Sequence, residues 1–120
     1  MIYLASPYSH PDPAVEHNRC DMACRAAAHF INRGYPVISP IAHSHVLHVT
    51  YGCGGDWATW AEIDRTLIAA SDEVWVLTID GWADSAGIER EVEFAEGMGI
   101  PVKCVDYIEP TKFMEIPDGQ

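Results

Sequence analysis

The chain has 120 residues, 48% of them hydrophobic and 21% charged, the profile of one ordinary globular domain. Eighteen acidic residues against seven basic ones leave a net charge of −11. A field of that sign repels DNA, RNA and anionic membrane surfaces, so neither a nucleic-acid polymer nor a membrane is expected as a partner. A small anion held by local donors, such as those at a helix N-terminus, stays compatible with it. No apolar run approaches the ~18 residues that span a bilayer. The opening MIYLASPYSH lacks the basic start of an export signal. The cysteines (Cys20, Cys24, Cys53 and Cys104) show no CxxC spacing and are expected to be reduced thiols of a cytoplasmic protein.

In chain order, Met1–Ala5 is an apolar run ended by Ser6-Pro7, which predicts a buried strand. Ser9–Pro13 reads as a loop, with Asp12 as N-cap and Pro13 in the first helical position. From Ala14 to Arg33 the residues Val15, Ala23, Ala26, Ala27, Phe30 and Ile31 recur with helical spacing, and Gly34 closes the helix. Pro36–Pro40 predicts a second strand, and Ile41–Gly55 a long loop rich in His and Gly. Asp56 caps a helix running to about Ser71, followed by the strand Glu73–Ile79. The loop Asp80–Ser85 leads into a helix from Ala86 to Met98, stopped by Gly99, and Pro101–Val105 is a fourth strand. Residues from Glu109 are weakly patterned and fit a short strand, a tail packed on a neighbour, or disorder. Alternating strands and helices imply an α/β fold. We expect a single domain over 1–120, a three-layer Rossmann-like (flavodoxin-like) sandwich with a central parallel sheet of four to five strands. Ligands of such sheets bind beyond the carboxyl ends of the strands, here Ala5–His10, Pro40–His48 and Asp80–Ser85.

Helical geometry singles out two carboxylates. At about 100° per residue, Ile88, Val92, Ala95 and Met98 form one apolar arc of the last helix, with Phe94 at its edge. Glu89, Glu93 and Glu96 fall opposite, but Glu91 lies between Ile88 and Ala95 on the face that meets the sheet. In the preceding helix Trp57, Trp60, Ala61, Ile63, Leu67 and Ile68 form the apolar arc, and Asp64 falls near its middle. Burying a carboxylate costs several kcal/mol unless partners compensate it. The plain reading is a loop cap or a pair with Arg65 or Arg90; the functional one is acid, base or nucleophilic carboxylate chemistry.

IYLASP at the start, the Asp64 helix before EVWVL, and then GWADSAGIEREVEFA resemble the nucleoside 2-deoxyribosyltransferase superfamily. That superfamily includes the 2′-deoxynucleoside 5′-monophosphate N-glycosidases, and the likeness is to its small bacterial and phage branch, over Ile2 to Val105. The resemblance implies that Glu91 is a nucleophile that attacks the anomeric carbon. It implies that Asp64 handles a proton on the leaving base and that Tyr3 orients the glutamate. Ser85 falls where the nucleotide-hydrolysing branch binds the 5′-phosphate, and Ser6, Asp84 and Gly87 fall in the loops around the substrate. Water or a second base then takes the sugar. The pattern departs from the transferases in placing Ser85 nearer the glutamate than Asp84, and from the hydrolases in carrying Pro7-Tyr8-Ser9 where they have a first-loop arginine.

Other features are weaker signals. His43, His45 and His48 have spacing compatible with zinc, but a polar loop at the pocket mouth is the simpler reading, with His45 against the base. Trp57, Trp60 and Trp82 suit a pocket wall or a subunit interface, and a homodimer or larger homo-oligomer is expected. GCGG at Gly52–Gly55 lacks the preceding strand and spacing of a dinucleotide site. No cofactor is expected. The expected partner is a small nucleoside or nucleotide, cleaved by a hydrolase or transferase. The alternative is a non-catalytic nucleotide-binding or sensor module using the same pocket.

Overall fold

The structure is a computed structural model, and it describes residues 1–54, 56–109 and 112–113, with side chains up to Asp106. Strands β1 (Ile2–Ala5), β2 (Val37–Ile38), β3 (Glu73–Thr78) and β4 (Val102–Glu109) pair in parallel, and β5 (Lys112–Phe113) adds an antiparallel edge, giving the order β2-β1-β3-β4-β5. The helices are α1 (Pro13–Asn32), α2 (Pro40–Val49), α3 (Trp57–Ala69) and α4 (Ala86–Gly97), with a 3₁₀ turn at Trp82–Asp84. None of the helices among the described residues is long and apolar enough to cross a membrane.

The strands are apolar on both faces because both are covered, as parallel sheets require. Ile2, Leu4, Trp75 and Leu77 face α1 and meet Ala26, Ala27 and Phe30. Tyr3, Ala5, Val74 and Val76 face the other way and meet Ile68 of α3 with Ile88 and Ala95 of α4. This is the three-layer Rossmann-like sandwich that the alternation of elements implies. In register, Tyr3 pairs with Val74 and Ala5 with Val76. The chain leaves β1 outward to β2 and returns to β3 on its other side, so the switch point lies between β1 and β3. A crevice opens beyond their carboxyl ends.

Two helix starts follow the expected caps, Asp12 and Asp56, and Ser85 caps a third. Asp12 accepts from Ala14 N at 2.9 Å, Asp56 from Thr59 N at 3.0 Å, and Ser85 Oγ from Ile88 N at 3.2 Å. The segment Ile41–Gly55 is the main correction. It is not a long loop, because Pro40–Val49 forms α2 with Ser39 Oγ capping Ala42 N at 3.2 Å. Ser39-Pro40 is a helix start, and the strand before it shrinks to Val37–Ile38. The apolar arcs also include residues that stay exposed: Ile31 at 53%, Trp57 at 51%, Met98 at 48% and Ile63 at 37%. They stand at the margins of arcs wider than the surface each helix buries. Most of the stretch from Glu109 lies outside the described residues.

Candidate active site

Three side chains from three elements converge beneath the crevice. Tyr3, at the middle of β1, exposes none of its surface, and its hydroxyl donates to Glu91 Oε2. Glu91 stands in the second turn of α4, between Ile88 and Ala95, both of which pack on the sheet. Asp64, one turn before Ile68 on α3, is partly buried and lies close enough to Glu91 and Tyr3 to interact with both. Neither acid caps a helix or forms a salt bridge with an arginine, though the charge of Arg90 tempers the rise of Glu91. The Arg65 and Arg90 guanidinium carbons instead lie 5.6 and 4.5 Å from the centre of the Trp57 ring.

The electrostatics follow from this packing. Burial pushes the Glu91 carboxyl up to about 8; the Tyr3 hydroxyl opposes that rise, and the negative charge of Asp64 adds to it. Asp64 is also raised by burial, against its interactions with Glu91 and Tyr3. Burial and then the two carboxylates hold the Tyr3 phenol far above its ordinary value, so it stays a neutral donor. Touching carboxyls in a partly dry site disfavour double ionisation, so the pair retains a shared proton near neutral pH. One member can then give a proton while the other carries charge, the division of labour that two carboxylates in different environments provide.

Above them lies a cavity of about 690 Å³ lined by Ser6, Asp64, Asp84, Ser85, Gly87 and Glu91 among others, a size suited to a small organic ligand. The Ser85 oxygen accepts the α4 cap bond, which leaves its hydroxyl hydrogen for a ligand. Ser6 is buried, and its Oγ has no partner among the described residues. Asp84 is exposed at the cavity edge, in the 3₁₀ turn. Tyr3 stands behind Glu91 and does not line the cavity.

His45 departs from expectation. It does not line the cavity, because its Nδ1 pairs with the Tyr8 hydroxyl at 2.6 Å and its ring lies against His17 at 5.6 Å between centroids. Tyr8 and His48 are the lining residues there. The helix separates the histidine trio: His43 is exposed, His45 turns to Tyr8, and His48 Nδ1 meets Cys53 O at 3.2 Å. Of the tryptophans, Trp60 closes a wall by donating Nε1 to Gly54 O at 3.0 Å, Trp57 lies at the cavity's exposed edge, and Trp82 is 37% exposed.

Arg19 is a lining residue that sequence reading missed. Its Nη1 donates to Ser9 O at 3.0 Å and Tyr8 O at 3.4 Å. Its Nη2 would lie 2.3 Å from a Cβ added at Gly81, whose φ is +90°. Glycine at 81 thus lets an arginine from α1 tie the loop after β1 to the loop after β3. The one signal available for it was scarcity: Arg19, Arg65 and Arg90 are three of only seven basic residues, and all three line this cavity.

A parallel sheet with helices on both faces and a cavity at its switch point, floored by a carboxylate pair, defines a Rossmann-like α/β domain. Within that class, the chain belongs to the family described as a domain of unknown function (DUF1937), whose model matches residues 1–107. No curated protein matches the chain.

Proposed function

We propose that the protein cleaves the N-glycosidic bond of a (deoxy)nucleoside or its 5′-monophosphate, passing the sugar to water or to a second base, with water the favoured acceptor. The observation that carries this reading is the buried Tyr3–Glu91–Asp64 contact at the cavity floor. In the reactive state the shared proton sits on Asp64 and the charge on Glu91, the state that the Tyr3 hydroxyl favours by donating to Glu91. A Glu91 carboxylate oxygen bonds to the anomeric carbon as the carbon–nitrogen bond breaks. The bonding pair leaves with the base, which takes the Asp64 proton. The transition state carries positive charge on the sugar, and the Glu91 carboxylate stabilises it. Water then attacks the anomeric carbon, loses its proton to Asp64 and frees the Glu91 carboxylate. A second base attacking instead gives transfer.

Ser85 and the free amides at the start of α4 suit the 5′ end of the sugar. Four free cysteines support a reducing, cytoplasmic setting. The exposed Val46, Val49 and Tyr51 support a homo-oligomer. The test is chromatography of deoxynucleosides and their 5′-monophosphates incubated with the protein, with and without a free acceptor base. Released base supports hydrolysis, and a new nucleoside only with acceptor supports transfer. Binding without turnover favours a non-catalytic module and overturns the enzymatic reading.

A further inference from the structure

The dyad accounts for the cavity floor but leaves the cations at its edge unexplained. Arg65 follows Asp64 on α3 and Arg90 precedes Glu91 on α4, yet both turn to Trp57, which is 51% exposed. Among the described residues neither guanidinium is in a hydrogen bond or a salt bridge, although the charge of Arg90 reaches Glu91 and opposes its rise. A guanidinium stacked on an indole is held by its face, while its N–H edges stay open to an acceptor. The other acids lining the cavity form no salt bridge with these arginines: Asp56 caps Thr59 through its N and Oγ1, Glu16 takes His10 N at 3.1 Å, and Asp84 sits in the 3₁₀ turn. In a chain of net charge −11, two arginines without a salt bridge on one tryptophan therefore place cationic donors on the cavity rim beside a negative floor. That polarity matches a ligand with a neutral sugar carbon inside and an oxyanion at the mouth.

We propose that Arg65 and Arg90, stacked on Trp57, read an oxyanion on the ligand, so that the site takes an anionic nucleoside derivative in preference to the neutral nucleoside. The substrate class rests on the glycosidic reading above; the anion-reading rim does not. The shared chemistry is a planar or tetrahedral oxyanion, with two sources: a phosphate ester on the sugar or a carboxylate on the base.

The test is calorimetric titration of the full chain with 2′-deoxyuridine, its 5′-monophosphate, 5-carboxy-2′-deoxyuridine and inorganic pyrophosphate, in wild type and in Arg65→Gln, Arg90→Gln and the double variant. Circular dichroism establishes that each variant is folded. One anionic nucleoside is expected to bind about tenfold or more tighter than deoxyuridine, which identifies the source. The double variant is expected to erase that advantage, with a loss for the anionic ligand well beyond any loss for deoxyuridine. An advantage that survives the double substitution, or no advantage for either anionic nucleoside and no pyrophosphate binding, overturns the rim. Pyrophosphate binding that needs both arginines, with no nucleoside bound, upholds the rim and overturns the nucleoside reading. An anionic nucleoside bound through the rim but never cleaved overturns only the catalytic reading.

Discussion

Removing one oxygen, in Tyr3→Phe, tests how the dyad is tuned. Phe keeps the ring in a position with no exposed surface, so the change is confined to the hydroxyl that donates to Glu91. A hydrogen bond to a charged group contributes about 1.5–3 kcal/mol, and one pKa unit corresponds to about 1.4 kcal/mol. The bond stabilises the Glu91 anion, so losing it raises a carboxyl already near 8 by roughly one to two further units. The shared proton then shifts from Asp64 towards Glu91 and is lost only at higher pH, so the alkaline limb of the pH–rate profile moves up by that amount. Wherever the pair holds one proton the reactive fraction, and with it kcat/KM for base release, falls about ten- to hundredfold. The assay is base release followed from pH 5 to 10 in both proteins. An alkaline limb that stays in place, or no loss of rate, would refute the assignment of Tyr3 to tuning Glu91.

Other substitutions probe the same site. Glu91→Gln is expected to abolish turnover and to stabilise the fold at alkaline pH. The folded value of Glu91 lies above the unfolded one, so its contribution is present at low pH and lost as pH rises towards 8. Thermal melts should show the variant level with wild type near pH 5 and ahead by on the order of 2 kcal/mol near pH 9, less than the full shift because Asp64 titrates with it. Asp64→Asn removes the proton donor, so rate constants should fall most for bases that are poor leaving groups; equal slowing for all bases would assign it to binding. Gly81→Ala drives a Cβ into Arg19 at a left-handed backbone position and is expected to cost about 2 kcal/mol in urea unfolding.

The two carboxylates were legible because a helix repeats its faces, and an acid on an apolar arc stands out in one dimension. Glu91 and Asp64 therefore emerged from the sequence, and the fold brings them together across α3 and α4. Tyr3 carried no such mark. β1 is buried on both faces, so its alternation hides which side chain points to the site; its role came from resemblance alone. α2 escapes sequence reading although Ser39-Pro40 is a cap-and-proline start like Asp12-Pro13, because Pro36–Pro40 reads equally as a strand ending in a turn. His45 was misplaced for the same reason: only a helix turns it from the cavity to Tyr8. Arg19, Arg65 and Arg90 come from separate elements and converge only after folding, so no spacing in the chain announces them.

The proposed nucleophile is tested most directly by acid-quenching the protein with a cleaved nucleoside or nucleotide and mapping its peptides by mass spectrometry. A sugar ester on the peptide that contains Glu91, absent in Glu91→Gln, is the expected result. Base release with no sugar on Glu91, or with undiminished turnover in Glu91→Gln, would contradict it.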